Sequence, residues 1–544
     1  MKKISLIFVL AIIAIITAAC SNSNESMKGH DMSNMDMSGS NKKEEQSQTS
    51  DKKDISNLPL TTAVKEITEK SFTITAKEAV NQFDSKHKFA VWTFNGSVPG
   101  SQIKLKQGDK VNITLKNELS KPVSIHWHGL PVPNSQDGIP GVTMNAVQPG
   151  ESFTYKFTAT VPGTYWYHSH QDSVNQLDKG LYGSLIVEGK NEEKVDKDFT
   201  LVLDEWISSG ETMEDMEGMD MGGMDMGNDY DMSDMNMGSD SKKDSGMGHM
   251  EMMGEDMSMY DLYTINGKSG ASIEPLKVTE GDKVRIRLIN AGYISHQIHI
   301  HGHNIKVTAT DGNAIKSPTV IKDQSINVAP GERYDVEFTA DHPGRWFIED
   351  HSQNDAAKNM VTQLIYEGSD NKTDERNFKT ELPVLDITKY GKGNTGQFSL
   401  DQKYDVEYKM DLNTEMNNQG MVYTINGKTF PDTDPVNVKE GDLVKVTLTN
   451  KSKSEDHPMH LHGHFFQVLS KNGKPLSGSP IVKDTLNLKP GEEYVVAFKA
   501  DNPGNWMFHC HDLHHASAGM VTEVEYDGFK PTFKVDPTAG NMPE

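Results

Sequence analysis

Apolar residues in this chain fall mainly on alternate positions, in short runs punctuated by glycine and proline turns. The segment 104–117, KLKQGDKVNITLKN, is representative: after its Gly-Asp turn, polar and apolar residues alternate as in a strand with one buried face. It returns as LKVTEGDKVRIRLIN at 276–290 and as NVKEGDLVKVTLTN at 437–450. A second block also occurs three times: PGESFTYKFTATVPGTYWYHSH from Pro149, PGERYDVEFTADHPGRWFIEDH from Pro330, and PGEEYVVAFKADNPGNWMFHCH from Pro490. In every copy two Pro-Gly turns lie 13 residues apart and bracket an alternating strand. Two blocks repeating in the same order predict three copies of one structural unit. Short β-branched and aromatic runs between turns, with few helical periods, predict an all-β chain of three Greek-key β-sandwich domains. Their expected extents are 58–190, 196–368 and 380–530.

The rest of the chain reads differently. Residues 1–20 carry Lys2 and Lys3, an apolar stretch from Ile4 to Ile16, and small residues before Cys20, the pattern of an export signal. That ending resembles a bacterial lipobox, which implies lipidation of Cys20 and attachment to the outer face of the cell membrane; an uncleaved signal anchor is the alternative and leaves the chain on the same side. No other segment reaches the apolar length of a membrane span. Residues 21–57 are almost entirely polar and read as a disordered tether, containing Met27, Met32, Met35, Met37 and His30. After the strand DFTLVLDEW, residues 211–260 interrupt the second domain with 15 methionines, 14 acidic residues, two lysines and no Ala, Val, Ile, Leu, Phe or Trp. Such a segment cannot build a core. Over the whole 544 residues, 54 Lys and Arg against 78 Asp and Glu give a net charge of -24, which argues against nucleic acid as a partner. The two cysteines are too far apart in sequence for a disulfide framework, so each needs its own explanation.

The repeats make the histidine positions informative. The first domain carries His126-Trp127-His128-Gly129 and His168-Ser169-His170; the third carries His457, His460, His462 and the run His509-Cys510-His511, followed by His515 and Met520. On a strand, His-X-His places both rings on one face. Four such pairs at equivalent places in two domains could face one another and enclose a metal cluster. Cys510 is the sole thiol of the folded region, and His457, His515 and Met520 complete a set of two imidazoles, a thiolate and a thioether suited to blue copper. The second domain repeats the pattern in His296-Gln297-Ile298-His299-Ile300-His301-Gly302-His303, but has Glu349-Asp350-His351 where the third has His509-Cys510-His511, and Asp355 where the third has His515. Without a thiolate it cannot hold blue copper. It reads as a vestige acting as a spacer, with an extra metal site from His296, His299, His301, His303 and His351 as the alternative.

With these motifs, residues 58–530 resemble the three-domain bacterial multicopper oxidases of the laccase and copper-resistance kind. The resemblance implies cupredoxin-like domains and four copper ions. By matching positions it implies type 1 copper on His457, Cys510, His515 and Met520, and type 2 copper on His126 and His460. It also implies a type 3 pair on His128, His168 and His511 and on His170, His462 and His509. Dioxygen would be the electron acceptor, reduced to water by four one-electron oxidations. An aspartate that serves the cluster in relatives falls on Asp137, which also reads as a plain Asp-Gly turn. Many relatives carry a carboxylate where this chain has Ala516, so no second proton group is identified.

Thioethers favour Cu(I) and carboxylates attract cations, so the Met-rich tracts at 27–37 and 213–259 read as copper-gathering arms. The expected reaction is therefore oxidation of Cu(I) to Cu(II) in copper detoxification, with a copper-exporting pump as a candidate partner. A laccase acting on phenols or a ferroxidase is the rival within the same chemistry. A non-enzymatic Cu(I)-storage lipoprotein is the rival outside it.

Overall fold

Each Gly-Asp turn uses a glycine in the left-handed region, with φ of 95° at Gly108, 94° at Gly281 and 97° at Gly441, and the alternating strand begins directly behind it. In this computed structural model the described residues are 55–212, 257–369, 381–393, 395–417 and 420–543. Cys20 with the stretch before it, nearly all of the 21–57 tether, and residues 213–256 of the Met-rich segment lie outside them.

The described strands form six sheets, two to each repeat, so the fold is all-β. The three units share one pairing scheme. Ser71–Gln82 runs antiparallel to Lys88–Phe94 and parallel to Lys110–Asn117. Lys197–Trp206 does the same with Leu262–Ile265 and Lys283–Asn290, and Val406–Asn417 with Gly420–Ile425 and Leu443–Asn450. The opposing sheet of each unit carries the end of the second block: Gly163–His168, Arg345–Asp350 and Asn505–Cys510. Trp206 pairs with Leu262, so the Met-rich segment leaves and re-enters the second sandwich at adjacent points on one sheet.

Burial follows the alternation where the outer face meets solvent, as in Leu443–Asn450, whose residues alternate between half-buried and buried. Lys283–Asn290 departs from it: every residue from Val284 onward is buried. Its outward-facing Arg285 and Arg287 are covered by the first sandwich and the strand before it. Arg287 bonds Thr164 Oγ1 at 2.8 Å and both carboxylate oxygens of Asp198 at 2.8 Å, and Arg285 pairs with Glu192 and Glu337. The alternating pattern was the same; an inter-domain face replaced water.

Candidate metal centre

Strand pairing sets the histidines in register. His460 on His457–Leu461 lies opposite His509 on Asn505–Cys510, and in the first sandwich His126 bridges to His168 in the same way. The first and third sandwiches then bring these pairs face to face. His126 stacks on His462 with ring centroids 4.0 Å apart, and His128 stacks on His460 at 3.8 Å, so each sandwich covers the other's pair reciprocally. His170 meets His509 at 5.4 Å, and His168 meets His511 at 5.5 Å. All eight side chains are buried.

One ring nitrogen of most of these histidines is held from outside. Asp137 O lies 2.9 Å from His126 Nδ1, and Asp137 Oδ2 lies 2.9 Å from His462 Nδ1. Carbonyls of Ser169, Cys510 and Asp484 take His168, His509 and His460 at 2.9, 2.9 and 3.1 Å, and that of Pro543 takes His170. His128 is held by the opposite nitrogen, with Nε2 3.1 Å from Thr485 Oγ1. The inward nitrogens are left over: Nε2 of His126, His168 and His460, Nδ1 of His128, and both nitrogens of His511 have no hydrogen-bond partner. Each such buried orphan costs about 1–3 kcal/mol, and this many converging on one space is the arrangement of a metal cage. The donor atoms of His170, His462 and His509 lie within 4.8 Å of one another, as do those of His126, His460 and His462 and those of His126, His128 and His168. Burial, reinforced by neighbouring imidazoles, pushes His128, His168, His462, His509 and His511 well below their usual pKa, and His170 down to about 3. These rings are neutral, the form that ligates metal.

A second centre lies behind the first. Cys510 Sγ is 3.6 Å from His515 Nδ1 and 3.9 Å from His457 Nδ1, and the two nitrogens are 3.2 Å apart. Three ligands 2.0–2.3 Å from a shared ion in a trigonal plane would be separated by about 3.5–3.9 Å, so the set fits a copper ion with little adjustment. Met520 is fully buried in the same apolar cluster as Cys510. Ser452 Oγ at 2.7 Å from His457 Nε2 leaves Nδ1 facing the site, and Tyr423 stacks on His515 at 3.9 Å. Cys510 is peptide-bonded to His509 and His511, so backbone alone joins the thiol to the cage.

Three multicopper oxidase family models match residues 75–192, 230–369 and 400–528, which together exceed half of the chain. The chain belongs to the multicopper oxidase family. The multicopper oxidase MmcO of Mycobacterium tuberculosis is 31% identical over 448 residues, covering 80% of this chain and 82% of that one. Copper resistance protein A of Escherichia coli is 24% identical over 558 residues, covering 80% and 89%. In fold, the chain is similar to Fet3p, a multicopper oxidase that functions in iron import, with TM-score 0.68 at 21% identity over 88% of this chain and 93% of that one. Membership makes the protein an oxidoreductase that binds copper.

The oxidase also uses residues that its sequence did not single out. Asp484 sits 3.3 Å from both His128 Nε2 and His460 Nδ1, and Arg333 of the second sandwich grips it through two bonds of 2.7 and 2.6 Å. At Gly129 an added Cβ would lie 2.3 Å from Arg333 and 2.4 Å from Asp484, which is why the His-X-His-Gly turn ends in glycine. Gly331, in a Pro-Gly turn of the second sandwich, would with a Cβ come within 2.9 Å of His511. The second domain is therefore more than a spacer: it braces the cage. The segment 539–543 lies on the first sandwich through Met542, Asn541 and Gly540 and brings Pro543 to His170. Asp137 is both a turn residue, followed by Gly138 at φ 87°, and a buried carboxylate touching two cage histidines.

Proposed function

We propose that the protein couples one-electron oxidation of Cu(I) to four-electron reduction of dioxygen to water, as the detoxifying oxidase of a copper-resistance system. The observation that carries the oxidase chemistry is the pairing of an eight-histidine cage with a covalently attached His-Cys-His set. By position, His457, Cys510, His515 and Met520 would hold type 1 copper and His126 and His460 type 2. His128, His168 and His511 would hold one type 3 ion, and His170, His462 and His509 the other. When bound, these coppers supply single-electron exchange at one end and dioxygen reduction at the other.

The chain's own residues do the rest. Asp137, Asp484 and Thr485 fix ring orientation, and the neutral imidazoles keep the cage free of bound protons. Cu(I) as substrate is supported by a cavity of about 450 Å3 against His515, lined by Glu455, Asp456, Asp512 and Met257. Three carboxylates attract the cation, and Met257, where the Met-rich segment re-enters the described fold, sets one thioether in the cavity beside His515. Cu(I) docking beside His515 needs no deep organic pocket, and the relative named for copper resistance supports a role in handling copper.

The leader ending at Cys20 supports an extracytoplasmic lipoprotein; the mass of the mature N-terminal peptide should show a lipidated Cys20, and an intact leader would favour the signal anchor. Oxygen uptake with Cu(I), Fe(II) and a phenol, before and after deletion of 213–256, tests the substrate. The Cu(I) reading expects the highest kcat/KM for Cu(I) and a fall of at least tenfold on deletion. Equal or better turnover of phenol or Fe(II), with no effect of deletion, would favour a laccase or ferroxidase. Absence of both oxygen uptake and Cys510-dependent blue colour would favour storage.

A further inference from the structure

The second sandwich carries a metal-binding geometry of its own. Its strand His296–Ile300 pairs with Arg345–Asp350 so that His299 lies opposite Glu349, the register that sets His460 opposite His509 in the third sandwich and His126 opposite His168 in the first. Around that pairing, the former ligands have parted into two groups.

One group has become an ion pair. Asp350 stands where Cys510 does, and His296, the counterpart of His457, lies between Asp350 Oδ2 at 2.9 Å and Glu205 Oε2 at 3.1 Å, all three fully buried. His303 is also committed, with Nε2 2.6 Å from the Tyr366 hydroxyl and Nδ1 2.7 Å from the His301 carbonyl. His464 and Tyr526 make the same 2.6 Å contact in the third sandwich, so this histidine is structural in both. Two of the five histidines expected from sequence at an extra metal site are therefore excluded.

The other group converges. His301 Nε2 and His351 Nε2 are 3.2 Å apart, and Glu349 Oε1 lies 3.0 Å from the first and 3.6 Å from the second. Ligands 2.0–2.2 Å from a tetrahedral ion stand about 3.3–3.6 Å from each other, so these three atoms already span one face of such a site. The same spacing recurs between the nitrogens read as copper ligands elsewhere in the chain: 3.0 Å for His462 and His509, 3.2 Å for His457 and His515. His299 brings a further imidazole alongside them. Its ring is 4.6 Å from that of His301 and 5.6 Å from that of His351, and its Nδ1 is held 3.1 Å from the Gln324 carbonyl, the outer bond that typically orients a metal-ligating imidazole by its other nitrogen.

We propose that His299, His301, His351 and Glu349 form an additional binding site for a divalent ion of borderline softness, Zn2+ or Cu2+. Three imidazoles and one carboxylate, without thiolate or thioether, suit these ions and carry none of the soft sulfur that selects Cu(I), so the site differs in chemistry from the cavity with Met257 against His515. The His301 side chain is 14% exposed and offers the ion an entry from solvent. Where a fourth imidazole stands in the third sandwich, Glu349 adds one negative charge, which offsets half that of the ion.

The test uses the full-length copper-loaded oxidase, equilibrated with Zn2+ and dialysed. Anomalous diffraction at the copper and zinc edges should show one ion within the His299, His301, His351 and Glu349 set; signal at both edges identifies copper, and signal at the zinc edge alone identifies zinc. Copper plus zinc per chain should exceed that of a His299→Ala/His351→Ala variant by one, with the blue absorption of the Cys510 centre unchanged. No density at that position at either edge overturns the proposal, as does an equal metal count in a variant that keeps its blue colour. Should the variant fail to fold, the wild-type crystal decides alone.

Discussion

Asp137 joins histidines from two different sandwiches with one carboxylate, its Oδ1 3.3 Å from His126 Nδ1 and its Oδ2 2.9 Å from His462 Nδ1. Oδ2 accepts from His462 and Oδ1 places negative charge beside His126, so an amide removes that charge and can turn a donor toward one of the rings. Asp137→Asn should therefore lower cage metal affinity or kcat by about 10–100-fold, the usual effect of losing an orienting partner. The blue colour expected of the centre proposed at Cys510, which Asp137 does not touch, should persist. Copper per chain and kcat measured beside the blue absorption check this; an unchanged kcat would reduce Asp137 to a turn residue. From sequence, turn and cluster roles were equally legible at this position, because Asp-Gly satisfies both. Only the approach of the third sandwich separates them.

At the scale of elements, the short helix Ser173–Asp178 of the first sandwich and the helix Leu513–Ser517 beside the Cys510 centre meet at Tyr260. The Tyr260 hydroxyl is 3.0 Å from both oxygens of Asp178 and 3.4 Å from His514 Nε2. Burial pushes Asp178 up to about 7, more than His514 and Tyr260 pull it down, with Glu205 adding to the rise. The folded state thus binds this proton more tightly than the unfolded chain. The stability this gives is complete below about pH 4 and lost as pH rises through 7. Between pH 5 and 8 the wild type should lose Tm by about 3 °C more than Asp178→Asn; parallel curves in a thermal scan would contradict this. A second contact between elements is Arg333 on Asp484. Arg333→Met leaves a wholly buried carboxylate without its cation, a loss of about 3–5 kcal/mol, or roughly 4 °C in Tm for a chain of this length. Cage copper should fall with it while the blue colour remains; an unchanged Tm would remove Arg333 from the bracing role.

These braces mark where sequence reading ran out. The strands, the turns and the eight cage histidines were legible because they recur in register across repeats, and period-two alternation fixes which face a side chain takes; Cys510 stood out instead as the sole thiol of the folded region, with His457, His515 and Met520 around it. Burial of charge was not legible. Lys322-Asp323 and Lys483-Asp484 occupy matching places in the second and third sandwiches, yet the first pair is largely exposed and the second wholly buried. What differs is the neighbour: Asp311 and Glu332 of the second sandwich close over Lys483 at 3.1 and 3.2 Å. The same limit hid Glu349, an ordinary strand carboxylate until the fold places His301 and His351 against it.

Across the whole molecule, three copies of one sandwich have taken three parts. The first and third share the cage, the third alone keeps the thiol, and the second has turned its thiolate position into an ion pair while bracing the cage through Arg333 and Gly331. The Met-rich segment springs from adjacent strand ends of the second sandwich, and Met257 at its return lines the cavity against His515. The most direct test is anomalous diffraction at the copper edge from the copper-loaded protein. Three ions within the eight imidazoles of the first and third sandwiches, and one bounded by His457, Cys510 and His515, are the result expected. A cage without copper, or one holding a single ion, would contradict the account.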